Sequence, residues 1–230
     1  MKNISKRKIK KKDSKRIIAE INKEFSFLLG KLIDKNICLD YTPFSTNGDN
    51  GIIEITRQNR KNESNILYDS TKTVGEMLDI LLEKQEYNIL MYDKGVIQFE
   101  LIIENGEIIK ERFIYINKQN GLYDIDQIKE FESDENNIDW YKEISGIPVL
   151  IRMDYDKEYE LDDIHPTSHF TISNCECCRI PMKGPMSISK FVNFILNMFY
   201  NENVDEIKTK YDKAETLKTV DKEKLYLYWN

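Results

Sequence analysis

His165 and His169, the two histidines of the chain, stand four residues apart in DDIHPTSHFTISNCECCRIPMKGP (162–185), and Cys175, Cys177 and Cys178 follow almost at once. Residue types of this kind serve three purposes. His165, His169, Cys175 and Cys178 have the donor atoms of a tetrahedral zinc set. The imidazoles alone can move protons near neutral pH. The same residues can also belong to a plain polar strand, with Cys178 as a small buried hydrophobe.

Strand geometry weighs against zinc. An extended chain rises ~3.3 Å per residue, which carries Cys175 about 20 Å from His169 unless the chain turns back. A turn at SNCE (173–176) lays 177–180 beside 169–172 but leaves Cys175 at its tip. We therefore expect no metal ligands and no cofactor here.

Alternation across strands suits proton transfer better. In PVLIRMDYD (148–156), Val149, Ile151 and Met153 face one way, and Arg152 and Asp154 face the other. In HFTIS, Phe170 and Ile172 take the apolar side and send His169 and Thr171 opposite. In CCRIP, Cys178 and Ile180 match the apolar side, and Arg179 falls on the polar one. Arg152, Asp154, His169, Thr171 and Arg179 thus share a predicted face, with His165 just before it beside Pro166. A carboxylate can hold an imidazole in one tautomer, and guanidinium groups bind phosphate oxygens in pairs. The set would suit metal-independent RNA cleavage driven by the substrate's own 2′-hydroxyl. A solvated polar face of an antiparallel sheet is the ordinary alternative.

The elements that must position these residues are legible around them. SKRIIAEINKEFSFLLGKLIDK has helical apolar spacing with Ser14 as its N-cap. TPFSTNGDNG reads as a loop, GIIEIT as a short strand, and TVGEMLDILLEKQ as a helix capped by Thr73. YNILMYD, VIQFELII and EIIKERFIYIN form an antiparallel meander, its second turn marked by Asn105-Gly106. Residues 118–146 are acidic and irregular, with Trp140 and Tyr141 docked on the body. SISKFVNFILNMFYN is a buried helix begun at Pro185 and Ser187 or Ser189. The expected class is α+β: a mostly antiparallel sheet with N-terminal helices and a C-terminal helix on one face, in a single domain over 17–230.

Composition bounds the rest. At 230 residues with 40% hydrophobic and 32% charged content, the chain can bury a substantial core. No run approaches the ~20 apolar residues of a membrane-spanning helix, and no signal-type segment follows the start. We expect a cytoplasmic protein with reduced thiols. Residues 1–16 carry nine Lys/Arg and one Asp on an otherwise acidic chain of net charge -6. That segment is expected to be flexible, and it could contact nucleic-acid phosphates. The phosphate loop GxxxxGK is absent.

The runs RMDYD, HPTSHFTI, CRIPM and SISKFVNFILNMFY together resemble the bacterial family known as domain of unknown function 2290, over roughly residues 85–200. The Arg-x-Asp and His-x-x-x-His spacing also looks like that of TumE-type toxins. The resemblance implies Arg152, Asp154, His165, His169 and Arg179 as motif positions, and it leaves out the three cysteines as a set. The resulting expectation is a toxin-like or phage-defence protein acting on nucleic acid, with a partner protein encoded nearby. The rival is a noncatalytic interaction subunit, in which Pro166, Thr167 and Ser168 shape a turn between the histidines.

Overall fold

The period-two runs in the middle of the chain become the centre of one sheet. The computed structural model describes residues 2–49, 51–58, 66–118, 148–158, 166–173 and 179–206, with side chains from 13 onward. Its strands are β1 (Cys38–Tyr41), β2 (Phe44–Asp49), β3 (Ile52–Arg57), β4 (Ile89–Met91) and β5 (Val96–Glu104), then β6 (Glu107–Asn117), β7 (Val149–Asp156), β8 (Ser168–Ile172) and β9 (Arg179–Pro181). They pair in the order β1-β4-β5-β6-β7-β8-β9, with β3 also on β5 and β2 on β3. Every pairing among the described strands is antiparallel. Among the described residues three helices, α1 (Lys2–Asp34), α2 (Val74–Glu83) and α3 (Ile188–Phe199), complete the expected α+β class, with a 3-10 turn at Ile66–Tyr68.

Register follows from local chemistry. Asn105 and Gly106 both take positive φ, 53° and 85°, as a tight hairpin turn requires, and Glu104 pairs with Glu107 across it. From there Phe99 meets Phe113 and Glu100 meets Arg112. One face of the sheet then collects Ile97, Phe99, Leu101, Phe113, Tyr115, Ile151, Met153 and Phe170 beneath α1 and α3. Phe99 is the hub, in ring contact with Phe25, Phe44, Phe113 and Phe191. The fully buried Glu24 of α1 accepts a hydrogen bond from Ser189 N, 2.9 Å away. A carboxylate thus sits at the positive end of α3, next to its N-cap Ser187.

The second helix packs on the other face. Thr73 caps it in a reciprocal box with Glu76, as its sequence predicts. Its Met77, Leu78 and Leu81 meet Val96, Ile114, Ile116 and Leu150, the alternate set of β5 to β7. So α1 and α3 share one face of the sheet and α2 covers one end of the opposite face.

Two local expectations are corrected and one strand is added. TPFSTNGDNG is largely strand: β2 pairs with β3 from Phe44↔Arg57 to Asp49↔Ile52. Backbone ladders need no apolar alternation, and a Cβ on Gly48 would collide with the carbonyl of Ile52, so the composition that suggested a loop serves a close strand approach. Ser14 is no N-cap, because the α1 backbone is already helical from Lys2; lysine and arginine are good helix formers. β1 was not anticipated. Residues 118–146 with Trp140 and Tyr141 lie outside the described residues, save Lys118, as does the chain beyond 206.

At the end of the sheet nearest α3, Asp93 forms a buried polar knot. Its carboxylate accepts hydrogen bonds from Gly95 N, Asn117 Nδ2 and the Tyr200 hydroxyl at 3.0, 2.7 and 2.9 Å. Tyr115 and Tyr200 join through their hydroxyls at 3.0 Å. Burial holds the Asp93 carboxyl above its ordinary value. A Cβ at Gly95 would stand 2.9 Å from Tyr200 Oη and 3.0 Å from Asp93 Oδ1. Gly95→Ala is therefore expected to cost about 1–3 kcal/mol by overpacking, read as a lower urea midpoint; an unchanged midpoint would show that the knot yields freely.

Candidate functional site

The even-numbered residues of β7 change character along the strand. Leu150 belongs to the α2 core, whereas Arg152, Asp154 and Asp156 carry charge on the same face. Their neighbours are fixed by register. Asp154 lies between Arg112 on β6 and His169 on β8, with Glu100 of β5 opposite Arg112. One repeat away, Arg152 lies between Ile114 and Thr171, and Thr171 faces Arg179 on β9. Arg152, Asp154, His169, Thr171 and Arg179 therefore occupy one face.

The first row is a ladder of opposite charges. Asp154 Oδ1 accepts from Arg112 Nε at 2.9 Å and Oδ2 from Arg152 Nε at 2.5 Å. His169 Nε2 stands 3.6 Å from Asp154 Oδ2. Its Nδ1 lies 3.0 Å from the Pro166 carbonyl oxygen, which accepts when Nδ1 is protonated. Glu100 is 4.0 Å from Arg112 and 3.4 Å from Arg57, and Arg57 reaches Glu86 at 2.8 Å. Three carboxylates thus alternate with three guanidinium groups, and His169 stands at the end of the series.

Burial sets the electrostatics. Only 6% of Asp154 and 1% of His169 is exposed. Burial alone pushes the Asp154 carboxyl up, but the Arg152 and Arg112 guanidinium groups outweigh it and hold it below the ordinary range. Burial likewise pulls Arg112 down, yet Tyr68, Asp154 and Glu100 together leave it above its usual value. Tyr68, from the 3-10 turn, lies over both arginines, its ring centre 4.8 Å from Arg112 Cζ and 5.1 Å from Arg152 Cζ. Burial pushes the Tyr68 hydroxyl up to about 12 against the pull of these cations.

Of the residues singled out from sequence, Arg152, Asp154 and His169 are in mutual contact or near it. Arg179 joins the face through Thr171 and makes no ion pair with a described residue. His165 lies outside the described residues, as do Cys175, Cys177 and Cys178. Among the described residues no three His, Cys, Asp or Glu side chains gather as a metal cluster. Sequence reasoning overlooked Arg112, Glu100 and Tyr68. Alternation in EIIKERFIYIN does put Arg112 on the face of Ile114, but only the strand register places it on Asp154. No pattern in sequence connects Tyr68 to the site.

A separate cleft of about 300 Å³ opens beside α1, lined by Arg16, Glu20, Glu107, Tyr155 and Lys157 among others. Four of its charges pair off, Lys157 with Glu107 at 2.7 Å and Arg16 with Glu20 at 3.9 Å, and it lies away from the Asp154 ladder.

A family model described as "Uncharacterized conserved protein (DUF2290)" matches residues 9–229. The match is wider than the 85–200 stretch carrying the recognised motifs, and it takes in part of the basic segment and nearly all of the tail. No curated protein and no solved structure matches the chain, so the likeness to TumE-type toxins finds no counterpart. Among the described residues no helix is long and apolar enough to cross a membrane.

Proposed function

We propose, for a chain that belongs to the DUF2290 family of uncharacterized conserved proteins, action on nucleic acid at the Arg–Asp–His face of β6 to β9. The observation that carries this reading is a single buried carboxylate, Asp154, gripped by Arg112 and Arg152 with His169 beside it. Guanidinium groups fixed this way are pre-oriented for phosphate oxygens and cost no reorganisation when charge builds up at phosphorus. The nine Lys/Arg within residues 1–16 add phosphate attraction to a chain whose net charge is -6. The toxin or phage-defence setting rests on the Arg-x-Asp and His-x-x-x-His spacing alone.

In metal-independent RNA cleavage the 2′-hydroxyl gives up its proton and its oxygen attacks phosphorus. The bond from phosphorus to the 5′-oxygen breaks, and that oxygen takes a proton, leaving a 2′,3′-cyclic phosphate and a 5′-hydroxyl. His169 serves one of these proton transfers, Asp154 orients it, and Arg152 and Arg179 bear on the phosphate. His165 fills the role of partner or substrate contact.

A second reading has its own observation. His169 is 1% exposed, and both of its ring nitrogens face protein oxygens, those of Pro166 and Asp154. That is the pattern of a histidine bracing a turn in a noncatalytic interaction subunit. His169→Ala separates the two. If the imidazole transfers protons, RNA-degrading or growth-arresting activity falls about 10²–10⁴-fold while the melting temperature stays near that of the unaltered protein. Full activity in that variant would sink the catalytic reading, and an unfolded or partner-deficient variant rescued by His169→Gln would favour the brace.

A further inference from the structure

The two rows of the charged face differ in how completely they satisfy themselves. In the Glu100–Arg112–Asp154–His169 row, the charges answer each other. In the adjacent row they do not. Thr171 is 1% exposed and its Oγ1 has no hydrogen-bond partner among the described residues. Arg179 Nε, on the residue facing it across β8 and β9, is equally buried and equally unpartnered. Native structures leave few such atoms, because an unmet buried donor costs about 1–3 kcal/mol.

Their placement is convergent. Residues directly opposite on neighbouring strands have Cβ atoms ~4.5–5.5 Å apart, close enough for a hydroxyl and a guanidinium to share one acceptor. Arg152 flanks Thr171 on the other side. It commits its Nε to Asp154, and its terminal nitrogens make no ion pair or hydrogen bond among the described residues. Two guanidinium groups and a hydroxyl with open donor positions on one row suit an acceptor-rich anion.

We propose that Thr171 Oγ1, Arg179 Nε and the Arg152 fork form a receptor for a phosphate group. This inference rests on the nucleic-acid reading for its ligand and adds Thr171 as a binding residue. It also refines the substrate. Two residues along a strand span ~7 Å, so a phosphate in this row is displaced from one placed at His169. Arg152 and Arg179 thus move from the phosphate at His169, where the reading above set them, to the phosphate next to it, and the ligand is an oligonucleotide with consecutive phosphates.

Melting of the full-length protein in inorganic phosphate, against chloride at equal ionic strength, tests the receptor. The unaltered protein is expected to melt higher as phosphate rises. Thr171→Val and Arg179→Gln abolish that response, whereas Thr171→Ser, which keeps the hydroxyl, retains it and guards against a folding artefact. A short single-stranded RNA is expected to bind about 10-fold more weakly to Thr171→Val, the loss of roughly one charge-assisted hydrogen bond, and a nucleoside monophosphate more weakly than the RNA. No phosphate response, or an equal response in Thr171→Val, overturns the receptor even if His169→Ala abolishes RNA cleavage. A response confined to proteins that carry a hydroxyl at position 171 supports it even if His169→Ala keeps full activity, and in that case only the cleavage reading falls.

Discussion

Asp154→Asn is expected to cost the folded state about 2–4 kcal/mol, because it leaves two partly buried guanidinium groups facing a neutral amide. The carboxylate is bonded by Arg112 on one oxygen and Arg152 on the other, and Tyr68 closes over both cations. Water replaces the lost charge only in part, since 21% of the Arg112 side chain and 12% of the Arg152 side chain is exposed. The same variant should lose any activity dependent on the orientation of Arg152.

The pH dependence gives this prediction a sign. The folded Asp154 carboxyl titrates below its ordinary value of 3.8, so its stabilisation is fully present above that value and drains away as pH falls through the folded one. Asp93 works in the opposite direction. Its folded value lies above 3.8, so its share is present below 3.8 and is lost as pH rises through the raised value. Denaturant unfolding from neutrality into acid should therefore show the gap between the unaltered protein and Asp154→Asn closing below 3.8. A gap that persists undiminished in acid would mean that the carboxylate is not held by charge.

Phe99→Ala is the other large effect, expected at about 3–5 kcal/mol from lost burial and the cavity left behind. Phe99 has no exposed surface and touches rings from α1, β2, β6 and α3: Phe25, Phe44, Phe113 and Phe191, with centroids 6.2, 6.2, 5.1 and 6.3 Å away. No single neighbour can collapse into the space without leaving another. The midpoint of urea unfolding should fall with little change in slope. Because Phe99 faces away from Asp154, any protein still folded should keep its response to phosphate, and loss of that response in the folded variant would show the two faces to be coupled.

Strand alternation carried much of this arrangement into view before any coordinates. Val149, Ile151 and Met153 against Arg152 and Asp154, or Phe170 against His169 and Thr171, divide a pleated strand into two faces by residue type alone. What alternation lacks is register between strands distant in sequence. Arg112 meets Asp154 because β6 and β7 pair as they do, and a long connection between them hides that alignment. β2 escaped notice for another reason, since its Asn, Gly and Asp residues look like a turn while their backbone pairs as a ladder. The unpartnered atoms of Thr171 and Arg179 are visible only in three dimensions, because composition reports which groups exist and not which lack a partner.

The tie between Glu24 and Ser189 joins a helix made early in synthesis to one made late. Translation adds ~5–20 residues per second, so for seconds a growing chain holds α1, Phe113, Met153 and Phe170 without the α3 side chains that cover them. During that interval the apolar side of the sheet is open and a buried-to-be carboxylate has no amide to meet. Newly made chains of this protein should be strong clients of ribosome-bound chaperones until residues 188–199 emerge.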